Sequence, residues 1–290
     1  MGGIIDKITE FIKELLQGWV LTNFENMFTD VNDKVGTIAG EVSKTPSTWN
    51  SGIFDMIKTL SDNVMIPIAG MIISFVLVYE LISMVIDKNN LHDFNTAIFI
   101  RFFMKACIAV MLLSKTFDIV MAVFDVGSHI VNSAAAAISG ETSIDVSSTL
   151  QTMFNEQFSE MSIGELLGLG METMIVSLCM KIMSVLITVI LYGRMIEIYL
   201  YVSVAPVPCA TVTNREWGTI GTNYFKGLCA LAFQGFFMMV CVAIYAVLVA
   251  GVAVSDNLHT ALWSVAAYTV ILCFSLFKTG SLSKSIWNAH

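Results

Sequence analysis

Long apolar runs separated by short polar segments make up most of this chain of 290 residues. Residues 64–86, 173–192 and 228–254 are each close to the ~20 residues that a helix needs to cross a bilayer core. Two further runs, 97–113 and 260–277, complete a set of five. The pattern therefore predicts an all-α, polytopic membrane protein with about five transmembrane helices plus amphipathic helices.

The N-terminal region, residues 1–63, has a different pattern. Apolar side chains recur at helical spacing from Ile4 to Trp19, interleaved with acidic and basic residues, and this predicts an amphipathic helix. A second amphipathic stretch runs from Ile53 to Leu60. Helices that lie on lipid usually carry a basic polar face, whereas this one is mixed and slightly acidic. Docking on a partner or a sister subunit is therefore as well supported as lying on the membrane surface.

Residues 119–138 can be interpreted in two ways. They are apolar enough to be inserted, yet a polar stripe follows one helix face, formed by Asp118, Asp125, His129 and Asn132. The short, charged connection before them favours an outer helix that continues the second span over a further antiparallel crossing. The stripe is then either the wet face of that helix or the lining of an aqueous vestibule.

Charge distribution gives the orientation. No lysine or arginine occurs between Lys115 and Lys181, and residues 139–172 are rich in glutamate and aspartate. Because loops rich in lysine and arginine stay in the cytoplasm, this acidic loop is predicted to lie outside. Lys278 and Lys284 follow the last span, which places the C-terminus in the cytoplasm. Counting back through five spans places the N-terminus outside, although residues 1–63 contain five lysines.

The composition of the chain excludes several classes of function. The chain is 56% hydrophobic and 13% charged, with a mean hydropathy of +0.76, whereas soluble domains carry about 25% charged residues. A net charge of −8 argues against binding nucleic acid through a basic face. All six cysteines lie inside apolar runs and the four histidines are scattered, so we expect no metal site and no cofactor. No catalytic motif occurs, and we predict that the protein has no catalytic residues and is not an enzyme.

Charged residues inside the spans are the first candidate functional residues. Glu80 and Lys181 lie in apolar runs, where each charge costs about 2.5 to 3.5 kcal/mol on insertion scales. They either pair and lock the helix bundle or line a pore. Arg194 and Glu197 are one helical turn apart, which predicts a local ion pair at the cytoplasmic edge.

The second candidate is a proline-containing break. Pro206 and Pro208 cannot both sit in an unbroken helix, so the sequence predicts a broken or re-entrant segment. Broken helices build ion and substrate sites in transporters. The alternative is a cytoplasmic elbow with Trp217 as an interfacial anchor, and Arg101 and Lys105 are interpreted as anchors of the same kind.

Three segments resemble a known family: residues 192–218 (YGRMIEIYLYVSVAPVPCATVTNREWG), 79–95 (YELISMVIDKNNLHDFN) and 277–290 (FKTGSLSKSIWNAH). They are similar to the TrbL-like polytopic membrane subunits of conjugative type IV secretion systems, particularly those of Gram-positive integrative conjugative elements. The resemblance extends over essentially the whole chain. It implies a subunit of the bacterial plasma membrane without catalytic residues.

The same resemblance implies a function and partners. Such a subunit is expected to form a homo-oligomer in a translocation channel and to help pass single-stranded DNA with its attached relaxase. ATPases, a coupling protein and stalk components are the expected partners, and the ATPases would supply the energy. The alternative is a small-solute or ion transporter that uses Glu80, Lys181 and the proline break, although no internal repeat supports it.

Four regions summarise the predicted organisation. Residues 1–63 form an amphipathic outer region, and residues 64–138 contain the first two spans with an outer helical extension. Residues 139–172 form the acidic outer loop. Residues 173–290 contain three spans, the cytoplasmic proline elbow and a short cytoplasmic tail.

Overall fold

A computed structural model describes residues 2–86, 96–138, 158, 161–252 and 257–289. All regular secondary structure in these residues is helical, which confirms the predicted all-α class. The polar turn at 87–95 and most of the acidic loop at 139–172 lie outside the described residues.

The N-terminal region is almost entirely helical. Helix α1 (Gly2–Ser43) is 42 residues long and is followed by the short helix α2 (Pro46–Trp49) and by α3 (Ser51–Leu60). Asn50 starts α3 as an N-cap, since its side-chain oxygen accepts a hydrogen bond from the Ile53 N–H at 3.0 Å. The amphipathic helix predicted from the first residues thus extends much further than the pattern indicated.

A π-helical turn (Ser61–Met65) joins α3 to helix α4 (Ile66–Ile86). The Ile66 N–H donates to the Ser61 carbonyl, a spacing of five residues. The helical path therefore runs unbroken for 36 residues, from Ser51 to Ile86. The sequence predicted a span that starts only at residue 64, because polar side chains precede it.

Helices α5 (Thr96–Ser114) and α6 (Thr116–Ile138) are separated by Lys115 alone. The Lys115 N–H donates to the Met111 carbonyl at 3.1 Å, and the Ile119 N–H donates to the Lys115 carbonyl at 3.0 Å. Helical hydrogen bonding thus passes through the junction, so the chain does not reverse there. This geometry is that of a helix continuing the second run.

Four helices complete the described chain: α7 (Ile163–Val204), α8 (Pro206–Cys209), α9 (Gly218–Val252) and α10 (Leu258–Ile286). The start of α7 corrects the predicted extent of the acidic loop, because residues 163–172 are already helical. A capping box explains this: the Ser162 N–H donates to Glu165 Oε2 at 2.8 Å, and the Glu165 N–H donates to Ser162 Oγ at 3.4 Å.

Five of the described helical stretches are long and apolar enough to cross a membrane: Ser51–Ile86, Thr116–Ile138, Ile163–Val204, Gly218–Val252 and Leu258–Ile286. The number agrees with the prediction. One of the five helices differs from the prediction: the set includes Thr116–Ile138, whereas the sequence predicted a span at residues 97–113.

The chain forms two compact units. The first contains residues 1–42, 131–191 and 237–278, and its core is built from apolar side chains of α1, α7, α9 and α10 such as Phe24, Met180, Tyr245 and Leu262. The second contains residues 43–130, 192–236 and 279–290. Its cores bring α4 against α5 and, separately, α6 against α7 and α9.

Candidate functional site at the proline break

Helix α7 ends where the two prolines begin, in the second unit. Because proline lacks an N–H, the chain leaves the α7 path at Ala205, forms the one-turn helix α8, and reaches α9 through turns at residues 210–217. We call residues 205–217 the elbow. Its backbone is satisfied locally, with Cys209 N–H donating to the Ala205 carbonyl at 3.2 Å and Ala210 N–H to the Pro206 carbonyl at 3.0 Å. The predicted break is therefore a folded element.

Asn214 organises the end of the elbow. It is 4% exposed, and its Oδ1 accepts hydrogen bonds from the N–H groups of Glu216 at 2.8 Å and Trp217 at 2.9 Å. An asparagine that accepts from the backbone two and three residues ahead forms an Asx-type turn, which here directs the chain into α9. Its Nδ2 donates to Glu80 Oε2 of α4 at 3.4 Å, so the same side chain also ties the elbow to α4.

Glu80 is the point where three elements meet. Glu80 is 7% exposed. Its carboxylate accepts a hydrogen bond from Asn214 of the elbow and forms an ion pair with Lys105 of α5. A carboxylate removed from water is tolerated only when it is paired and hydrogen-bonded. Glu80 therefore fixes α4, α5 and the elbow to one another.

Aromatic stacking supports the same junction. The Trp217 ring lies 5.5 Å from the rings of both Phe75 and Tyr79 of α4, each at an interplanar angle of 13°. The Tyr79 hydroxyl also donates to Glu216 Oε2 at 2.7 Å. Trp217, predicted as an interfacial anchor, is thus also a packing residue of the elbow.

Close backbone approach secures the other side of the elbow. A Cβ atom placed on Gly221 of α9 would lie 2.3 Å from Val212 Cγ2 and 2.7 Å from the Pro208 carbonyl oxygen. Only glycine lets α9 pack this closely on α8. Within the elbow, burial raises the pKa of the Cys209 thiol, although a hydrogen bond with the Thr116 side chain acts in the opposite direction. The elbow is therefore packed tightly against the start of α9.

The comparisons with known proteins agree with the resemblance seen in the sequence. The sequence model of one family, described as TrbL/VirB6 plasmid conjugal transfer like protein, matches residues 31–206. The chain belongs to this family. It is accordingly a component of a conjugal transfer, or type IV secretion, system and a multi-pass membrane protein. No curated protein and no solved structure matches the chain.

The matched region locates the TrbL/VirB6 signature within the fold. It begins in the middle of α1 and ends at Pro206, the first residue of α8. It covers residues 79–95 fully and residues 192–218 in part, whereas the quoted tail at 277–290 lies outside it. Tyr79 and Glu80 fall within the match, and their elbow partners Asn214, Glu216 and Trp217 follow it.

The glutamates of two predicted ion pairs bind other partners in the structure. Glu80 pairs with Lys105, 25 residues away across the α4–α5 connection, rather than with Lys181. Lys105, predicted as an interface anchor, is therefore also the counter-ion of a buried carboxylate. Glu197 pairs with Lys284 of α10 at 2.6 Å rather than with its neighbour Arg194, which is 7% exposed. Sequence spacing favours local pairs, whereas tertiary packing here selects distant ones.

Other predicted residues lie at the surface. Arg101 is exposed on α5, and the stripe of Asp118, Asp125, His129 and Asn132 is exposed along α6, as a wet face or a vestibule lining both require. Lys181 lies in the first unit. It borders a polar cavity of about 210 Å³ between α1 and α7, together with Asp30, Asp33, Lys34 and Thr37. In the part of the chain that the structure describes, no three histidine, cysteine or acidic side chains could hold a metal ion.

Lys34 is a residue that the sequence analysis missed. It is 7% exposed, and its Nζ donates to the Met180 carbonyl of α7 at 3.2 Å. Only its place on the apolar side of α1, level with Val31, Val35 and Ile38, could have indicated that it is buried.

Proposed function

We propose that this chain is a channel and scaffold subunit of a conjugative type IV secretion system that helps pass single-stranded DNA with its attached relaxase across the plasma membrane. The family match over residues 31–206 carries this proposal. Five apolar helices and the tightly locked elbow support a structural part within the membrane.

The proposal includes an assembly and an orientation. The chain forms a homo-oligomer with the ATPases, coupling protein and stalk components of the system, and it has no enzymatic activity of its own. The basic-free centre and the basic tail support an external N-terminus and a cytoplasmic C-terminus. The acidic segment at 139–172 then faces substrate or stalk components.

The alternative, a small-solute or ion transporter, was based on Glu80, Lys181 and the proline break. Glu80 and the elbow bind each other through Asn214, and Lys181 belongs to a different compact unit. The polar cavity beside Lys181 is the feature that favours this alternative.

A deletion in the donor cell tests the proposal. An in-frame deletion should abolish DNA transfer to recipient cells, and expression of the intact chain in trans should restore it. Cross-linking of transferring DNA to the secretion proteins, followed by immunoprecipitation of this chain, tests whether the DNA passes beside it. Transfer at the wild-type frequency after deletion, together with loss of uptake of a solute, would favour the transporter instead.

A further inference from the structure

Helices α6 and α9 both start beside the elbow in the second unit. At the start of α6, the Thr116 side chain is hydrogen-bonded to Cys209 of the elbow. At the start of α9, Gly221 packs directly on the elbow. The two helices also meet further along, where a Cβ atom on Gly127 of α6 would lie 3.0 Å from the Cβ atom of Ala232. They therefore run in the same direction from a common end.

An apolar groove of about 460 Å³ lies between these two helices. Both helices contribute to its lining, which includes Ile119, Ala122, Val126, Cys229, Ala232 and Phe233. Val126 is 60% exposed, so the groove is open to the surroundings of the chain. The polar stripe of α6 lies on an adjoining side, because Asp118 and Asp125 each precede a lining residue by one position, a turn of ~100° around the helix.

The position of the groove along α9 indicates its depth in the membrane. Both helices are long and apolar enough to cross a membrane. No charged residue occurs from 227 to 252, a run that rises by ~39 Å along the helix and so exceeds the thickness of a bilayer core. Cys229 and Phe233 lie near the start of this run. The groove therefore faces hydrocarbon close to one surface of the membrane.

Two lysines lie at the end of the groove that is nearer the elbow. Lys115 precedes Ile119 by four residues, and Lys226 precedes Cys229 by three, so each continues the lining side of its helix by one turn. Lys115 pairs with Asp118 at 3.2 Å, and both side chains are exposed, so this pair contributes little. The described residues provide no ion-pair partner for Lys226. Its charge is therefore available to a group outside the chain.

A tryptophan lies at the same end of the groove. The Trp287 ring, just after α10, is 5.3 Å from the ring of Phe233. The Ser283 hydroxyl of α10 donates to the Ala230 carbonyl at 2.6 Å and holds this end of α10 against α9. Tryptophan is enriched at the level of lipid head groups. A tryptophan and an unpaired lysine beside an apolar groove are together suited to a phospholipid.

We propose that the groove binds an acyl chain of an anionic phospholipid whose phosphate group is held by Lys226, with Lys115 beside it. Basic pockets between membrane-spanning helices bind the head groups of anionic phospholipids. A zwitterionic phospholipid offers the same acyl chain, but its ammonium group would approach the lysines. In the orientation proposed above, the bound lipid belongs to the cytoplasmic leaflet. The inference requires that α6 and α9 cross the membrane, and it does not depend on the passage of DNA.

Photocrosslinking in vesicles tests the site. The full chain is reconstituted into phosphatidylcholine vesicles with a trace of a probe lipid that carries a diazirine in one acyl chain, and the adducts are mapped by mass spectrometry. The probe has either a phosphatidylglycerol or a phosphatidylcholine head group. Adducts on residues 119–127 and 229–233 should be about fivefold more abundant with the phosphatidylglycerol probe, the effect expected of one lysine at a membrane surface. Adducts on the exposed Ile244 and Val247 of α9 should be equally abundant with both probes.

Three variants identify the groups that bind the lipid. Lys226→Gln should lower the groove adducts of the phosphatidylglycerol probe to the level of the phosphatidylcholine probe. Lys181→Gln, which removes an exposed lysine of α7, is the matched control and should leave them unchanged. Ala122→Phe places a ring in the groove from an exposed position and should lower the groove adducts of both probes. Unchanged adducts on Ile244 and Val247 show that each variant is inserted as the wild type is.

Two results would overturn the proposal. Equal groove adducts with the two probes, or a preference for phosphatidylglycerol that survives Lys226→Gln, would exclude recognition of an anionic head group by this lysine. Adducts on Ile244 and Val247 without any on residues 119–127 and 229–233 would exclude a lipid in the groove and would indicate that protein covers it. Either result leaves the proposed function untouched, since that function is tested by DNA transfer.

Discussion

Trp19 of α1 packs directly against Gly170 of α7, and this contact gives a test of how the two helices pack. A Cβ atom on Gly170 would lie 2.1 Å from Trp19 Cζ3, 2.7 Å from Cε3 and 2.8 Å from Cη2. Gly168, two residues earlier on α7, has open space around its Cβ position. The two glycines therefore lie in the same turn region of α7 but differ in their contact with Trp19.

The expected effect of Gly170→Ala follows from two opposing contributions. Alanine favours a helix over glycine by about 1 kcal/mol, and this gain applies equally to Gly168→Ala. Overpacking a tight contact costs about 1–3 kcal/mol. Because the Trp19 side chain is 39% exposed, its ring can partly swing outward, which favours the lower half of that range. Gly170→Ala should therefore be about 1–2 kcal/mol less stable than Gly168→Ala.

Unfolding in mixed micelles, followed by circular dichroism as the denaturing detergent is increased, measures this difference. Adding Trp19→Ala to Gly170→Ala should remove the clash and recover most of the loss, which a double-mutant cycle reports as a coupling of about 1 kcal/mol or more. Equal stabilities for the two alanine variants, or a coupling below about 0.5 kcal/mol, would refute the packing of α1 on α7 described above.

Two further predictions concern the elbow. Lys105→Met should cost about 2–4 kcal/mol of unfolding free energy, because it leaves the Glu80 carboxylate, 10% exposed, without its counter-ion. Glu80→Gln should cost about 1 kcal/mol, because the Lys105 side chain is 41% exposed and its charge keeps contact with its surroundings. The same unfolding assay compares the two variants, and the reverse order would contradict the prediction. Gly221→Ala places a Cβ atom 2.7 Å from the Pro208 carbonyl oxygen and should cost about 2 kcal/mol of unfolding free energy. Gly251→Ala on the same helix has open space and should stabilise the protein by up to about 1 kcal/mol. Matching unfolding midpoints for the two variants would rule out the close approach.

The apolar runs made the fold largely predictable, because a membrane span has to be continuous and apolar. The ends of the helices were predicted less well. The start of α7 lay ten residues before the predicted one, although Ser162 and Glu165 have the spacing of a capping box. The second half of α1 was not recognised as a packed helix, since its exposed polar side chains weaken the apolar pattern formed by the buried Val31, Val35 and Ile38.

The candidate site was predictable in its members but not in its pairings. Glu80 and the proline break both stood out, because a charge and two prolines are rare in apolar runs. Their connection through Asn214 was not visible, since 134 residues separate the two side chains. Lys105 was assigned to the interface for the same reason: no local spacing relates it to Glu80.

The π-helical turn at Ser61–Met65 has a consequence for chain length. A π-helical turn contains one residue more than an α-helical turn. The side chains of α4 therefore point in directions rotated by ~100°, relative to α3, from those of an uninterrupted α-helix of the same sequence. Loss of one residue within the turn would leave ordinary α geometry and the same inward-facing groups in both flanking helices. Loss of one residue between Ile66 and Glu80 would instead rotate Glu80 away from Lys105 and Asn214, relative to the start of α4.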